Sequence, residues 1–486
     1  MGQAKRAHPN FERKYRWLGL LLLASVFPSA PAIAAVCPAD LTARVEAIAA
    51  QPALRPARLG VRVETETGEL VYERDSDRYF VPASNVKLFT TAAALQFLGP
   101  DFRVRTSIYG STNDLGLTTL RVVGRGDPSL SDTQLAELAR QLRQQGVQRV
   151  ASLVADDSYF PGQATNPNWE WEDVQAGYGA PVNSLIVNRN ALGLSLVPQA
   201  IGQPLQVVWD DPALAARWQI ENNSVTVAAG QPEYTEVGRD LGQPVLQVRG
   251  QLVAGSAADT AAIAVPNPSQ YFLDRLQAAL AAEQISVART SVISTPTPSS
   301  LPELAFVESA PLRELLIPTN RSSNNLYAEA LLKTLGMRAS QGNEATELGL
   351  EAIQAVLEPL GVDPTAYVLA DGSGLSRHNL TTPTALVQVL QVMNRSNEAE
   401  TYRNSLATAG INGTLRNRLQ GTAAAGRLQG KTGSISRNAA LSGYLDPPSY
   451  EPLVLSILLN NVDQPGRVLR QAIDEIVVLL AALQPC

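Results

Sequence analysis

Residues 81–100 constrain the fold most strongly, because they combine a helical pattern with two reactive side chains. Apolar residues recur there at the spacing of an α-helix: Leu88, Ala92, Leu95 and Leu98. Gly99 and Pro100 then end the pattern. Ser84 stands just ahead of the helix and Lys87 follows three residues later, so both side chains lie on one face of its first turn.

This pairing of a serine with a lysine suits nucleophilic catalysis. A serine hydroxyl is a poor nucleophile at neutral pH unless a neighbouring base takes its proton. Lys87 can supply that base, because apolar neighbours such as Val86 and Phe89 indicate burial, which lowers the pKa of an amine. Taken alone, the same residues also fit a purely structural interpretation, an N-cap serine beside a solvated lysine.

Two later motifs favour the catalytic interpretation. Ser323-Asn324-Asn325 supplies a Ser-x-Asn motif, and Lys431-Thr432-Gly433 supplies a Lys-Thr-Gly motif. Each could by itself be a turn or a surface loop. Together, and in this order after the serine–lysine pair, they resemble the motif set of the active-site serine acyl transferases, which include serine β-lactamases and penicillin-binding proteins.

The first residues of the chain carry an export pattern. Residues 1–34 combine basic residues, a short apolar run and a small-x-small site at Ala32-Ile33-Ala34, as in a secretory signal peptide. Valine at position 36, just before Cys37, disfavours a lipid anchor. We therefore expect a protein exported to the periplasm or otherwise to the cell envelope, with no stable membrane span after signal removal.

Charge and composition exclude several classes of function. Removal of residues 1–34 takes five basic residues and one acidic residue from totals of 39 and 45, which leaves a net charge of −10. That balance argues against nucleic acid or anionic lipid as a partner. Two cysteines and one remaining histidine, His378, are too few for a structural zinc site, so neither a metal nor a cofactor is expected. A Ser-His-Asp triad would have to use His378, which lies in a polar loop.

The pattern of helices and strands divides the rest of the 486-residue chain, which is too long for one core. Residues 35–100 predict a helix, a β-hairpin and the Ser84 helix, the first part of a catalytic domain. Residues 101–300 are richer in strands and form an inserted region of one or two smaller modules. Residues 301–486 complete the catalytic domain: a helix at 312–317 leads to Pro318, and residues 453–460 are apolar enough for a central strand. The closing amphipathic helix, residues 466–483, is expected to pack on the sheet rather than on a membrane.

With these segments placed, the chain resembles the class C low-molecular-mass penicillin-binding proteins, the D-Ala-D-Ala carboxypeptidase/endopeptidase family also called peptidase family S13. The resemblance rests on the long insert and on five stretches of sequence: PASNVK, NWEWEDVQAGYGAP, SSNN, DGSGLSRHNL and GKTGSISRNAALSGYL. It implies an α/β (α+β) fold of the serine β-lactamase/DD-peptidase type, in which helices flank an antiparallel sheet.

The resemblance also implies roles for individual residues. Ser84 would be the nucleophile and Lys87 its general base, and three further residues complete the catalytic set: Ser323, Asn325 and Lys431. Thr432, Gly433 and Ser434 would bind substrate, and the backbone N–H groups of Ser84 and Ser434 would form the oxyanion hole. In the insert, Asp173 would bind the free amine of a diamino acid in the wall peptide; the alternative is a structural loop.

The resulting functional hypothesis is a penicillin-sensitive serine DD-peptidase. Its substrates would be peptidoglycan peptides with D-Ala-D-Ala ends and, in an endopeptidase reaction, D-amino-acid cross-links; β-lactam antibiotics would be covalent inhibitors. Two alternatives remain open at this stage: a β-lactamase, and a non-catalytic protein that binds wall peptide.

The two cysteines stand at opposite ends of the mature chain. An exported protein meets an oxidising compartment, so we expect Cys37 and Cys486 to form a disulfide. The first and last mature segments belong to the same expected catalytic domain, which could bring both cysteines together. Unpaired termini, or a bridge between two chains, are the alternatives.

Overall fold

Helices occur along the whole described part of the chain. The computed structural model describes residues 35–112, 118–296 and 300–486, and the expected signal peptide, residues 1–34, lies outside them. The α-helices within these ranges are α1 Leu41–Ala49, α2 Val86–Leu98, α3 Asp132–Gln144, α4 Pro212–Ala215, α5 Pro268–Ala282, α6 Leu312–Asn320, α7 Asn325–Ala339, α8 Ala345–Leu357, α9 Pro383–Asn394, α10 Ala399–Ser405 and α11 Gly466–Ala481.

The strands form several sheets within the same ranges. In chain order they are β1 Arg58–Thr65, β2 Leu70–Arg74, β3 Arg105–Thr112, β4 Thr118–Val123, β5 Arg149–Asp156, β6 Ala191–Val197, β7 Gln206–Trp209, β8 Gln219–Val227, β9 Tyr234–Arg239, β10 Val245–Val253, β11 Asp259–Ala264, β12 Ser286–Val287, β13 Thr290–Ile293, β14 Glu303–Glu308, β15 Tyr367–Val368, β16 Leu380–Thr381, β17 Ala407–Thr408, β18 Leu428–Ile435, β19 Asn438–Leu445 and β20 Leu453–Asn460.

One antiparallel sheet is built from both ends of the described chain. Its strand order is β17-β18-β19-β20-β1-β2, so the early hairpin pairs with the late strands. Strand β20 lies inside this sheet, as its apolar sequence predicts. The sheet carries helices on its faces, which confirms the expected fold class of an antiparallel sheet flanked by helices.

Alternate residues of β20 enter two different apolar cores. Leu455 and Ile457 pack in a core that includes α1 and α11, whereas Val454 and Leu458 pack in a core that includes α2, α7 and α9. This alternation follows from the two-residue period of a strand. Burial on both faces explains why β20 is apolar throughout, and α2 is thereby held against the sheet.

The insert contains three further sheets with two apolar cores. A mixed sheet, β12-β5-β4-β3-β14, packs on α3 and α5 through one core. Two three-stranded sheets, β8-β10-β9 and β11-β6-β7, share the other core around Trp209 and Leu246. The last strand of the mixed sheet, β14, comprises Glu303–Glu308. It therefore lies beyond residue 300, the boundary that the sequence predicts for the insert.

Helices α6 and α11 can be compared with the helices that the sequence predicts at residues 312–317 and 466–483. Helix α6 continues through Pro318 to Asn320, because the amide of Arg321 still donates to the carbonyl of Ile317 at 2.9 Å. Helix α11 buries its apolar face against the sheet. Within the described ranges, every helix is too short or too polar to cross a bilayer.

The two ends of the described chain, near Val36 and Cys486, meet beside α1 and α11. Cys37 and Cys486 form a disulfide with their Cα atoms 5.8 Å apart. The backbone of Val36 also pairs with the last helix, since its amide donates to the carbonyl of Ala482 at 3.0 Å. These two segments are therefore joined by backbone hydrogen bonds as well as by the disulfide.

We predict that the protein produced in an oxidising compartment contains this disulfide and is stabilised by it. A bridge that closes a loop of this length contributes roughly 6 kcal/mol at most in the chain-entropy model, and a compact denatured state reduces that value. The Cys37→Ser/Cys486→Ser double variant should therefore lose about 2–4 kcal/mol of unfolding free energy in urea titrations. Non-reducing peptide mapping should recover the two cysteines in one linked peptide, and free thiols in the oxidised monomer would contradict the prediction.

Candidate active site

Ser84 lies in a tight turn ahead of α2 rather than inside the helix. Residues Ala83–Asn85 form one turn of 3-10 helix, and Ala83 has a left-handed φ of 48°. Two glycines let other segments approach this turn: a Cβ at Gly374 would lie 1.9 Å from the carbonyl oxygen of Ala83, and one at Gly433 would lie 2.6 Å from that of Pro82. The turn therefore holds a partly exposed Ser84 between two neighbouring segments.

Lys87 is fully buried, and its amine meets three oxygen atoms. Its Nζ lies 3.1 Å from Ser84 Oγ, 2.7 Å from Asn325 Oδ1 and 2.6 Å from the carbonyl oxygen of Ser373. A neutral amine has two N–H donors and one lone pair. Because a carbonyl can only accept, Asn325 and Ser373 take the two N–H bonds, and the lone pair is left facing the Ser84 hydroxyl.

Burial makes the neutral amine accessible near physiological pH. Loss of hydration lowers the pKa of Lys87 from its ordinary value to about 7, and the nearby carboxyl groups of Asp371 and Glu329 oppose part of this shift. A lysine with a pKa near 7 is a suitable general base. The contacts therefore accommodate the neutral amine that the serine needs, and the lowered pKa makes that form available near neutral pH.

The second motif enters the site at the start of α7. Asn324 caps the helix, since its Oδ1 accepts from the amide of Tyr327 at 3.2 Å. Asn325 is the first helical residue, and its Nδ2 donates to the carbonyl oxygen of Tyr178 at 2.9 Å. Because that oxygen is only an acceptor, the contact fixes the side-chain amide with Oδ1 facing Lys87.

The third motif lies on β18, next to the turn of Ser84. Lys431 is fully buried and its Nζ donates to Ser323 Oγ at 2.8 Å and to the carbonyl oxygen of Thr432 at 2.7 Å. Burial holds the pKa of Lys431 well below its ordinary value, and the neighbouring Lys87 lowers it further. Thr432 is partly exposed and contacts Thr414, and Ser434 is exposed near the end of the strand.

The outer edge of β18 is open beside these residues. Strand β17 pairs with β18 only at Gln429 and Gly430. Beyond that point, β18 has a strand partner on one side only among the residues that the structure describes, namely β19. An extended peptide can pair with such an edge through its backbone.

Sequence reasoning missed the role of the loop that contains Ser373. The carboxylate of Asp371 organises this loop, because it accepts from the amides of Gly374 and Ser376, both at 2.7 Å, and from Trp169 Nε1 at 2.9 Å. The DGSG stretch indicates only a polar turn. The group of this loop that contacts Lys87 is a backbone carbonyl. Every residue type has one, so the sequence does not reveal this contact.

Two more buried charged groups lie behind this loop. Glu329 accepts from the amide of Gly372 at 3.0 Å; burial and the Asp371 carboxylate raise its pKa to about 8. Lys333 donates to the carbonyl oxygens of Gln163 at 2.7 Å and Val182 at 2.8 Å, and burial lowers its pKa to about 8. Helix α7 is thereby joined to both the loop and the insert.

Asp173 lies on the insert near the second motif. Its carboxylate is mostly buried, accepts from Tyr178 Oη at 3.0 Å and lies 3.4 Å from Arg377 Nη1. Tyr178 connects it to the site, because the backbone carbonyl of the same tyrosine holds Asn325. Glu170 contacts the same guanidinium at 3.2 Å.

The structure brings the three motifs into one site. Ser84 and Asn325 both contact Lys87, and Ser323 contacts Lys431; Thr432, Gly433 and Ser434 follow Lys431 on the same strand. His378 is exposed. Over the described ranges, no three His, Cys, Asp or Glu side chains approach closely enough to hold a metal ion. The arrangement suits acyl transfer through Ser84 with lysine as base.

Comparisons with known proteins agree with this geometry. The model of the D-Ala-D-Ala carboxypeptidase 3 (S13) family matches residues 41–483. A D-alanyl-D-alanine carboxypeptidase of an Actinomadura species is 36% identical over 95% of this chain and 88% of its own length. A penicillin-sensitive carboxypeptidase A of Dictyostelium discoideum is 29% identical over 82% of each chain.

A solved structure supports the fold. The crystal structure of penicillin binding protein 4 (dacB) from Haemophilus influenzae superposes with a TM-score of 0.77 at 24% identity, over 91% of this chain and 98% of that one. Since the family model spans nearly all of the described residues, the three motifs and the insert are matched together. The chain belongs to the D-Ala-D-Ala carboxypeptidase 3 (S13) family.

Proposed function

We propose that this chain is a serine DD-peptidase that hydrolyses D-Ala-D-Ala ends of peptidoglycan peptides through an acyl-enzyme on Ser84. One observation carries the proposal. The Lys87 amine lies 3.1 Å from Ser84 Oγ, 2.7 Å from Asn325 Oδ1 and 2.6 Å from the carbonyl oxygen of Ser373, so in its neutral form both N–H bonds go to the two carbonyl oxygens and the lone pair is left for the Ser84 hydroxyl. Export by the signal sequence of residues 1–34 would bring the enzyme to the cell envelope.

Acylation begins with proton transfer from Ser84 to Lys87. The serine oxygen forms a bond to the carbonyl carbon of the penultimate D-Ala, and the carbonyl oxygen becomes an oxyanion. The backbone N–H groups of Ser84 and Ser434 stabilise this charge, an effect worth roughly 3–4 kcal/mol for each donor. A substrate backbone paired with the open edge of β18 would present its carbonyl to these groups.

Departure of the terminal D-Ala requires a proton on its nitrogen. Ser323 suits this step, because its oxygen accepts from Lys431 and its own O–H stays available to donate to the leaving amine. The C–N bond then breaks, the acyl group remains on Ser84, and the proton that Lys87 took from Ser84 replaces the one that Ser323 gave up, which leaves Lys87 neutral again. Thr432 would hydrogen-bond the terminal carboxylate, and the charge of Lys431 would attract it.

Hydrolysis of the ester completes the reaction. A water molecule adds to the acyl carbon, the ester C–O bond breaks, one proton of the water restores the Ser84 hydroxyl, and the shortened peptide leaves as a carboxylate with the second proton released to solvent. The same nucleophile would open the ring of a β-lactam and retain it as a stable acyl group. Peptide bonds of D-amino-acid cross-links present the same reacting atoms, so endopeptidase activity fits the same site.

The first prediction concerns the nucleophile. Incubation with penicillin should add one acyl group, and mass spectrometry of the digest should find it on the peptide that contains Ser84. Ser84→Ala should remove both the adduct and D-Ala release, because no other hydroxyl contacts the Lys87 amine among the described residues. An adduct on another peptide, or unchanged labelling of the variant, would refute the mechanism.

The second prediction concerns the base. Because burial lowers the pKa of Lys87 to about 7, the parent acylation rate should rise about tenfold per pH unit below pH 7 and level off above it. Lys87→Arg keeps the charge but stays protonated, so acylation should fall by about 10²- to 10⁴-fold at every pH. Stopped-flow labelling with a chromogenic β-lactam measures both. If the arginine variant acylates within a few-fold of the parent, Lys87 is only an electrostatic partner.

The third prediction concerns Asp173, which we propose as the binding group for the free amine of a diamino acid in the wall peptide. Asp173→Asn should lower kcat/KM by about 5- to 20-fold for a diamino-acid peptide, as expected for one charged hydrogen bond. Glu170→Gln is a matched control, because Glu170 contacts the same Arg377 but is more exposed. Equal slowing of a simple D-Ala-D-Ala peptide would mean that Asp173 acts only on the fold.

A further inference from the structure

A large open cleft runs beside the second motif. Its volume is about 830 Å³, and one wall consists of residues 322–326 together with Tyr178. The other walls come from the insert: strands β6 and β11, and the turn Asn188–Asn190. Because Ser323 and Asn325 line it, the cleft is continuous with the proposed reaction site.

Three of the five charged side chains that line the cleft form one ion-pair group. Arg275 binds two carboxylates: its Nε donates to Asp132 Oδ1 at 2.8 Å and its Nη1 to Asp211 Oδ2 at 2.5 Å. The other cationic residue of the lining, Arg189, is exposed and has no carboxylate partner in the described part of the chain. Arg189 is therefore the positive charge that the cleft leaves available for a ligand.

The backbone at Arg189 is held in an unfavourable conformation. Asn188, Arg189 and Asn190 have φ angles of 49°, 59° and 48°, all in the left-handed region. Side-chain hydrogen bonds of the two asparagines fix the turn: Asn188 binds Asp132, and Asn190 binds the carbonyl oxygen of Pro181 at 2.9 Å. A left-handed residue other than Gly, Asn or Asp costs about 1–2 kcal/mol. The turn alone would favour glycine at position 189, so the fold does not explain the arginine.

We propose that Arg189 is a specificity-determining residue that binds a carboxylate of the wall peptide other than the terminal one. This inference rests on the proposed function and names the chemistry of its substrate: an acidic residue in the peptide, upstream of the D-Ala-D-Ala end. A guanidinium suits a carboxylate because its N–H groups match both oxygens. The terminal carboxylate is already assigned to Thr432 and Lys431, so Arg189 binds a second anionic group.

Asp210 allows a second test, because its charge has the opposite sign to that of Arg189. Its exposed carboxylate also lines the cleft, and the described residues give it no hydrogen-bond or ion-pair partner. A negative charge in the same cleft opposes the binding of an anionic peptide. Removal of that charge should therefore increase the preference for a carboxylate, whereas removal of Arg189 should abolish it.

The experiment compares two peptides that both end in D-Ala-D-Ala and differ at one acidic residue. One peptide carries the free carboxylate and the other carries its primary amide, and D-Ala release gives kcat/KM for each. The parent should prefer the carboxylate by about 5- to 20-fold, the size expected for one charged hydrogen bond. Arg189→Gln should lower this ratio to about one, and Asp210→Asn should raise it about twofold.

Two further variants separate charge from folding. Arg189→Gly removes the guanidinium and suits a positive φ, so it should lose the preference without a decrease in melting temperature. Arg249→Gln removes another exposed arginine of the insert that lies outside the cleft, and it should keep the parent ratio.

Several outcomes would overturn the proposal. They are an unchanged ratio in Arg189→Gln, an equal loss for both peptides, and a decreased ratio in Asp210→Asn. Failure of the proposed function itself looks different, because the parent would then release no D-Ala from either peptide and form no penicillin adduct on Ser84.

Discussion

The contacts of the Lys87 amine are the constraint on which the site depends. Three segments distant in sequence supply its partners: the turn of Ser84, the start of α7 at Asn325, and the loop at Ser373. A neutral amine can satisfy all three at once only if two of them accept and the third donates. Displacement of Asn325 or Ser373 would leave a buried N–H donor without an acceptor, and displacement of Ser84 would separate its hydroxyl from the lone pair. The packing of α2, α7 and the loop is therefore required for the base to act.

Burial of this amine sets its pKa. A buried ionic group is costly unless it is paired or hydrogen-bonded, and titratable groups respond by shifting toward their neutral forms. Lys87 and Lys431 shift downward and Glu329 shifts upward, in each case mainly because of burial. Since Lys87 faces carbonyl and hydroxyl oxygens at hydrogen-bonding distance, its neutral form loses little. The surrounding protein thus supplies a base without a histidine.

Much of this could be predicted from the sequence, for identifiable reasons. The apolar sequences of α2 and β20 carry strong signals, because α2 is buried on all sides from Val86 to Leu95 and β20 on both faces, and burial dictates residue type. The motifs at Ser84, Ser323 and Lys431 are recognisable because side chains perform their roles. The acceptor at Ser373 and the anchor at Tyr178 are backbone carbonyls, so the sequence has no residue type that reveals them. Likewise, a role for Arg189 can be inferred only from the structure, in which the insert lies beside the second motif.

The insert supports the site as well as adding surface to it. Several of its residues reach into the catalytic part of the chain through hydrogen bonds, among them Gln163 and Val182, which accept from Lys333, Asn166, which donates to the carbonyl of Ala370, and Trp169, which donates to Asp371. These bonds end on α7 and on the loop that contains Ser373, the two elements that receive the N–H groups of Lys87. Because carbonyl acceptors must be placed within tenths of an ångström to hold an amine in one orientation, supports on both elements restrict the motion that would spoil the base. Shortening of residues 163–182 would therefore disturb the protonation of Lys87 as well as the binding of substrate.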